Sequence, residues 1–216
     1  MNSKEKKPSY FRPAFDILAP LYDFGVWLVG FIVGGEKKFR KLVIDELDIK
    51  KGQRVLEICC GTGTTAFMAG RMDAEIFGLD IAMGMLKTAG RKAARRESKF
   101  GLALANAESV PFKDRSFDRV VVSMGLHEMP ISAIINTICE IRRVLKGGSK
   151  FVIFDYHKPH GLVSFLQRLF FVFTEHETAR DFINFDIEGK LKDIGFKILK
   201  RTILAKGALQ LITCEA

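Results

Sequence analysis

The sequence predicts an α/β fold built on a mostly parallel sheet, and three observations carry that expectation. Apolar runs of strand length recur along the chain, the intervals between them carry helical patterning, and a tight glycine turn follows the first run. Strands are expected near Arg54 to Ile58, Glu75 to Leu79, Leu102 to Asn106, Arg119 to Ser123 and Lys150 to Phe154. Helices are expected at Thr64 to Met72, Met83 to Arg96 and Ile131 to Leu145; the last should stop at Gly147-Gly148, where a left-handed cap is easiest. The tail breaks the rhythm. Phe196 to Leu204 and Ala208 to Cys214, separated by Ala205-Lys206-Gly207, read as an antiparallel hairpin. Residues 1–50, with YFRPAFDILAPLYDF, an apolar run and the charged EKKFRKLVIDEL, read as a helical cap over the strand C-termini, where open α/β sheets bind ligands.

A chain of 216 residues suits one domain, with residues 51–216 as the core and a substrate insertion near 157–185. Hydrophobic residues at 48% and charged residues at 27% can bury a core and still solvate a surface. The four cysteines form no CxxC pair, so no metal is expected and a reducing, cytoplasmic setting is read. Phe24 to Gly35 holds twelve uncharged residues, short of the about 20 that a spanning helix needs. The net charge of +9 favours anionic partners without choosing among them. Six basic residues between Lys87 and Lys99 read as a solvated helix, and no nucleic-acid partner is expected because they are not interleaved with aromatics.

The strongest local signal is VLEICCGTGTTA, Val55 to Ala66: a strand, an acid at its end, a glycine turn, then a helix. Gly61-Thr62-Gly63-Thr64-Thr65-Ala66 fits the dinucleotide pattern, and Asp80 stands near the distance expected for a ribose-binding acid. Charge separates the two readings. A dinucleotide sets its pyrophosphate at the helix N-terminus, where Glu57 would repel it. S-adenosylmethionine has no phosphate, and its methionine end carries an ammonium and a sulfonium that an acid complements. Asp80, as an ionised carboxylate with two acceptor oxygens, can take both ribose hydroxyls.

From about Phe15 onward the chain resembles the ubiquinone/menaquinone biosynthesis methyltransferases and their class I relatives. LYD at Leu21 to Asp23, CCGTG, LDIAMGML, ANAESVPF, SFD, SMGL, RRVLKGG, FDYHKP and the closing GF and KGALQL occur in that family's order. The resemblance implies a Rossmann-like sheet of seven strands ending in the hairpin. It also implies that Glu57, Gly61, Thr62 and Gly63 hold the methionine part of S-adenosylmethionine, Asp80 the ribose, Asn106 and Ala107 the adenine, and Ser123 the region beside the sulfonium. Cys59, Ile81 and Met85 join that cofactor set, with Tyr22 as a cover. Two places depart from the family pattern. Cys59 stands where the first glycine of the turn usually lies, and His127-Glu128 follows SMGL where the quinone enzymes resemble GLRN.

Cys59 and Cys60 otherwise read as small packing residues. His127 and Glu128 follow the fourth strand, and Asp155, Tyr156 and His157 follow the fifth, at the rim where acceptor and sulfonium should meet. His127, Asp155 and His157 are the catalytic candidates, imidazole being able to take a proton near neutrality. Glu128, Tyr156 and Phe170 are the substrate-binding candidates. Phe170 lies in GLVSFLQRLFFVF, Gly161 to Phe173, which packs a core or, with Phe24 to Val33, forms an apolar mouth. The expected activity is methyl transfer to a small hydrophobic or lipid-linked acceptor, such as a quinone precursor or phospholipid, with peripheral membrane contact. A soluble metabolite as acceptor, or a non-catalytic regulator that binds S-adenosylmethionine, are the alternatives.

Overall fold

The structure, a computed structural model, describes residues 35–95, 100–158 and 177–216. Tyr22, Phe170 and the apolar runs Phe24 to Val33 and Gly161 to Phe173 lie outside the described residues.

The elements follow in the order α1 (Glu36–Leu47), β1 (Arg54–Ile58), α2 (Thr64–Ala69), β2 (Glu75–Asp80), α3 (Met83–Arg95), β3 (Phe100–Leu104), β4 (Phe117–Ser123), α4 (Ile131–Val144), β5 (Leu145–Tyr156), α5 (Glu177–Asn184), α6 (Ile187–Asp193), β6 (Lys197–Leu204) and β7 (Leu209–Glu215). One seven-stranded sheet has the order β3-β2-β1-β4-β5-β7-β6. The first five strands are parallel, while β7 runs antiparallel to both β5 and β6. The α/β class, the seven strands and the closing hairpin are as the sequence predicts.

Alternation along each strand divides the core into two faces. Leu56, Ile58, Val120, Val122, Phe151 and Ile153 point to one face and pack under Ile134, Ile138 and Ile141 of α4. Val55, Val121, Val152 and Phe154 point to the other and meet Phe39, Val43, Ile44 and Leu47 of α1 with Ala66 and Ala69 of α2. Glu57 shares the parity of Val55, so its side chain is delivered to the α1–α2 side.

The described part of the expected cap does not roof the strand ends. Helix α1 lies along the sheet face, antiparallel to the parallel strands. Phe39, in its first half, stacks on Phe154 near the end of β5 with ring centroids 5.9 Å apart. At its other end, Arg119 near the start of β4 donates to the Leu47 carbonyl at 2.6 Å. Several boundaries differ from expectation, β5 most of all, since it runs from Leu145 to Tyr156 rather than Lys150 to Phe154. β3 begins and ends two residues early, because Asn106 leaves the ladder and its side-chain oxygen accepts the Glu108 N–H at 3.0 Å. Helix α2 stops at Ala69 and tightens into a 3₁₀ turn over Gly70–Met72. Helix α4 ends at Val144 with Leu145 already extended, and Gly148 takes its φ of +73° inside β5, where its N–H reaches the Ala216 carbonyl at 2.8 Å. Among the described residues no helix is long and apolar enough to cross a membrane.

Candidate active site

The turn after β1 is built from residues that leave ordinary backbone space. Cys59, Gly61 and Gly63 have φ of +55°, +53° and +76°. The Cys60 N–H donates to the Leu79 carbonyl at 3.0 Å, and the Gly63 N–H to the Cys60 carbonyl at 2.8 Å, which folds the turn back toward β2. A Cβ placed on Gly61 would meet nothing within 4 Å, so the backbone there faces open space where a ligand can approach.

Both cysteines fill room left by glycines. A Cβ on Gly78 would fall 2.8 Å from the Cys60 sulfur, and one on Gly125 would fall 2.5 Å from the Cys59 Cβ. Burial pushes both thiols well up, and the Asp80 carboxylate pushes them further. They stay protonated near neutrality and serve packing, as the sequence reading has it. Cys59 shapes the turn in which it was expected to bind.

Two carboxylates flank this turn. Asp80, at the end of β2, accepts the Gly61 N–H at 2.7 Å and the Ala82 N–H at 2.9 Å, so it is tied to the glycine turn and to the start of α3 at once. Glu57 is 3% exposed and accepts the Ala66 N–H, in the first turn of α2, at 2.8 Å. Burial pushes its carboxyl up to about 7, against the pull of Arg40, the Thr65 hydroxyl and the Ala66 N–H. Arg40 of α1 in turn donates to the Thr65 hydroxyl at 2.6 Å. Neither Arg40 nor Thr65 was expected at the site. Arg40 sits among the charges of EKKFRKLVIDEL, which look like a solvated face, and only the packing of α1 across the sheet turns it inward.

The remaining cofactor candidates stand at the same end of the sheet. Thr62 is buried, with its hydroxyl 3.5 Å from that of Thr64. Ile81 follows Asp80 half-buried, and Met85 is buried on the inner face of α3. Asn106 and Ala107 form the turn beyond β3, held there by the Ala105 N–H on the Asp80 carbonyl at 3.1 Å. Ser123 closes β4, after which Met124 takes a φ of +55° and donates its N–H to the Phe154 carbonyl at 2.7 Å.

On the acceptor side, the ends of β4 and β5 bring His127, Glu128, Asp155 and Tyr156 together. The Asp155 carboxylate, fully buried, lies 2.6 Å from His127 Nδ1 through one oxygen and accepts the Leu126 N–H at 2.9 Å through the other. His127 Nε2 stands 3.5 Å from Glu128, and the Tyr156 ring lies 4.4 Å from the imidazole, centroid to centroid. Burial alone would drive the imidazole neutral. The Asp155 charge and hydrogen bond outweigh it, Glu128 adds to them, and the ring is raised to about 10. On that balance the His127 ring is an imidazolium near neutrality, with both nitrogens protonated and none free to accept a further proton. The structure does not bring His157 to this group: its Nδ1 lies 2.8 Å from the Gly207 carbonyl, and it lines a separate cavity of about 260 Å³ with Lys158, Phe182, Arg201 and Gln210.

Residues 1–207 match the model of the ubiE/COQ5 methyltransferase family. The chain belongs to that family. It is 34% identical to a methyltransferase of uncharacterised function from Synechocystis over 85% of each chain. It is 32% identical to the demethylmenaquinone methyltransferase of Renibacterium salmoninarum over 73% of this chain, and that match spans 63% of the relative's length. In fold it is similar to the crystal structure of an S-adenosylmethionine-dependent methyltransferase from Aquifex aeolicus, with a TM-score of 0.65 at 17% identity, over 81% of this chain and 88% of that one.

This ubiE/COQ5 chain is a methyltransferase that takes its methyl group from S-adenosylmethionine. The residues present fit that donor and not a dinucleotide. The Ala66 N–H in the first turn of α2, a donor of the kind that a pyrophosphate takes up, is already occupied by the buried Glu57 carboxylate. An acid at the end of β1 is complementary to an ammonium, and a carboxylate such as Asp80 to a diol.

Proposed function

We propose that the acceptor is a small hydrophobic molecule, a prenylated quinone precursor before any other, and that Glu128 is the group that meets it. The observation that supports the quinone class is the 32% identity to demethylmenaquinone methyltransferase over 73% of the chain. S-adenosylmethionine, when bound, supplies a methyl group already activated by its sulfonium. Alignment and removal of water can then provide most of the acceleration.

The chain's own residues divide that work. Asp80 holds the ribose and, through the Gly61 N–H, fixes the glycine turn around it. Glu57 sets a negative potential beneath the turn for the ammonium. Asp155 gathers the Leu126 N–H, the His127 ring and the Tyr156 N–H, the last at 2.8 Å, and so locks the loop after Ser123 against the end of β5. Within that loop the Glu128 side chain is 24% exposed against 5% for His127. Glu128 is thus the member that can reach an acceptor hydroxyl and take its proton, with its Oε1 3.5 Å from His127 Nε2.

The departure at His127-Glu128 from the quinone enzymes favours a second reading, a phospholipid headgroup as acceptor. Incubating the purified protein with S-adenosylmethionine and, separately, a reduced demethylmenaquinone, a phospholipid and a water-soluble catechol decides among these by mass spectrometry. A product 14 mass units heavier from the quinol alone is expected, the gain being one CH₂, roughly the increment of any single methylation. Methylation of the catechol alone would sink the hydrophobic reading, and binding without any turnover would make the chain a regulator.

A further inference from the structure

We infer that Arg40 is a positioning residue for the donor site: from α1, outside the glycine motif, it holds the Thr65 hydroxyl and through it keeps the Glu57 carboxylate ionised and aimed under the turn. The inference rests on the donor reading of the turn.

The geometry runs in one line. The Arg40 guanidinium donates to Thr65 Oγ1 at 2.6 Å, which leaves the single hydroxyl hydrogen of Thr65 to be given to Glu57. Glu57 takes a second donor from the Ala66 N–H at 2.8 Å. Thr65 is 1% exposed and Glu57 3%, so no solvent replaces either bond if it is lost. An arginine suits this place better than a lysine, because its planar fork reaches the hydroxyl while its charge acts on the carboxylate behind it. A protonated Glu57 would have to present its own hydrogen to groups that are themselves donors, and would offer no charge to an ammonium.

The charged and titratable groups that face Glu57, among the described residues, are few. Asp80 from β2 opposes its ionisation, Arg40 from α1 favours it, and the thiols of Cys59 and Cys60 stay neutral. Arg40 is the largest favourable influence on a carboxyl that burial would otherwise neutralise. The balance lies close to neutral pH, so ligand binding should be coupled to a proton.

The test is calorimetric titration of the full chain with S-adenosylhomocysteine, which carries the ammonium, between pH 5.5 and 8.5 in phosphate and in Tris. The wild type should bind more weakly as pH falls through about 7, by up to about tenfold per pH unit, and should release a fraction of a proton that the two buffers reveal as different heats. Arg40→Met should move that midpoint upward by about 1 unit or more, the range for a nearby opposite charge. Thr65→Val, which keeps the buried shape, should move it in the same direction by less, and Arg40→Lys should recover part of the shift. A midpoint unmoved in both Arg40→Met and Thr65→Val overturns the role of Arg40 while leaving the donor site standing. Wild-type protein that fails to bind S-adenosylhomocysteine at every pH overturns the donor reading and this inference together.

Discussion

His127 and Asp155 form a buried ion pair across the ends of β4 and β5, with Nδ1 and Oδ1 2.6 Å apart and neither side chain more than 5% exposed. Removing one member of such a pair strands the other, which typically costs about 3–5 kcal/mol. The pH dependence has a definite sign. The imidazole is raised from 6.5 to about 10 in the folded chain, so its contribution is fully present below about 6.5 and is lost as pH rises through about 10. Urea unfolding at several pH values should show the gap between wild type and His127→Gln narrowing over that window. A gap that is constant from pH 6 to pH 10 would mean that the ring is neutral.

Asp80 should matter for affinity more than for folding. Asp80→Ala is expected to weaken S-adenosylhomocysteine binding by about 1–3 kcal/mol, the range for stranding the partners of a charged hydrogen bond. The wild type should bind S-adenosylhomocysteine more tightly than NAD in the same calorimeter. The opposite order would return the glycine turn to the dinucleotide class.

Glu128 and His127 should separate in a kinetic comparison once a quinol acceptor is in hand. Glu128→Gln should keep affinity for S-adenosylhomocysteine and lower turnover by about 10²–10⁴, the usual range for a positioned base. If Glu128→Gln turns over at the wild-type rate, proton removal belongs elsewhere or is not needed.

Gly125 and Cys59 offer a packing test free of any ligand. A methyl group at position 125 would lie 2.5 Å from the Cys59 Cβ, so Gly125→Ala should lose about 1–3 kcal/mol through overpacking. Cys59→Gly should restore most of that loss in the double variant, because it removes the opposing atom and suits the φ of +55°. Additive losses in denaturant unfolding would show that the two residues do not collide.

Peripheral membrane contact, proposed from the net charge of +9 and the apolar runs at Phe24 to Val33 and Gly161 to Phe173, predicts a salt-sensitive attraction. Flotation with anionic vesicles should exceed flotation with neutral ones and weaken as salt is raised, since each basic residue near the surface adds about 1 kcal/mol. Phe170→Asp should reduce it. No flotation at low salt would favour a water-soluble acceptor.

The sheet was legible in the sequence because strands flanked on both sides, such as Val120 to Val122 and Phe151 to Phe154, have to be apolar on both faces. The two carboxylates at the glycine turn were legible because a strand end, a turn and a helix fix them locally. What escaped depends on contacts far apart in the chain. Arg40 meets Thr65 across 25 positions, and Asp155 meets His127 across 28. An isolated reading of His127 sees a base near its ordinary range; only the Asp155 charge and hydrogen bond, overcoming its burial, make it a cation. His157 misled for the same reason, since its place just after β5 does not say that its ring turns to the Gly207 carbonyl.

The hairpin order has a bearing on how the chain assembles. β7 lies between β5 and β6, although β6 comes before it in the chain. β6 therefore has no neighbour to pair with until β7 exists, and during synthesis it must wait with Leu199 and Ile203 uncovered, both of which stay partly exposed even in the finished sheet. The short connection at Ala205–Gly207 lets the two strands zip locally before they reach β5, a low-separation step that shortens the wait. Lys197, Lys200 and Arg201 place three positive charges on that strand, a pattern that opposes pairing of a sheet edge with another chain.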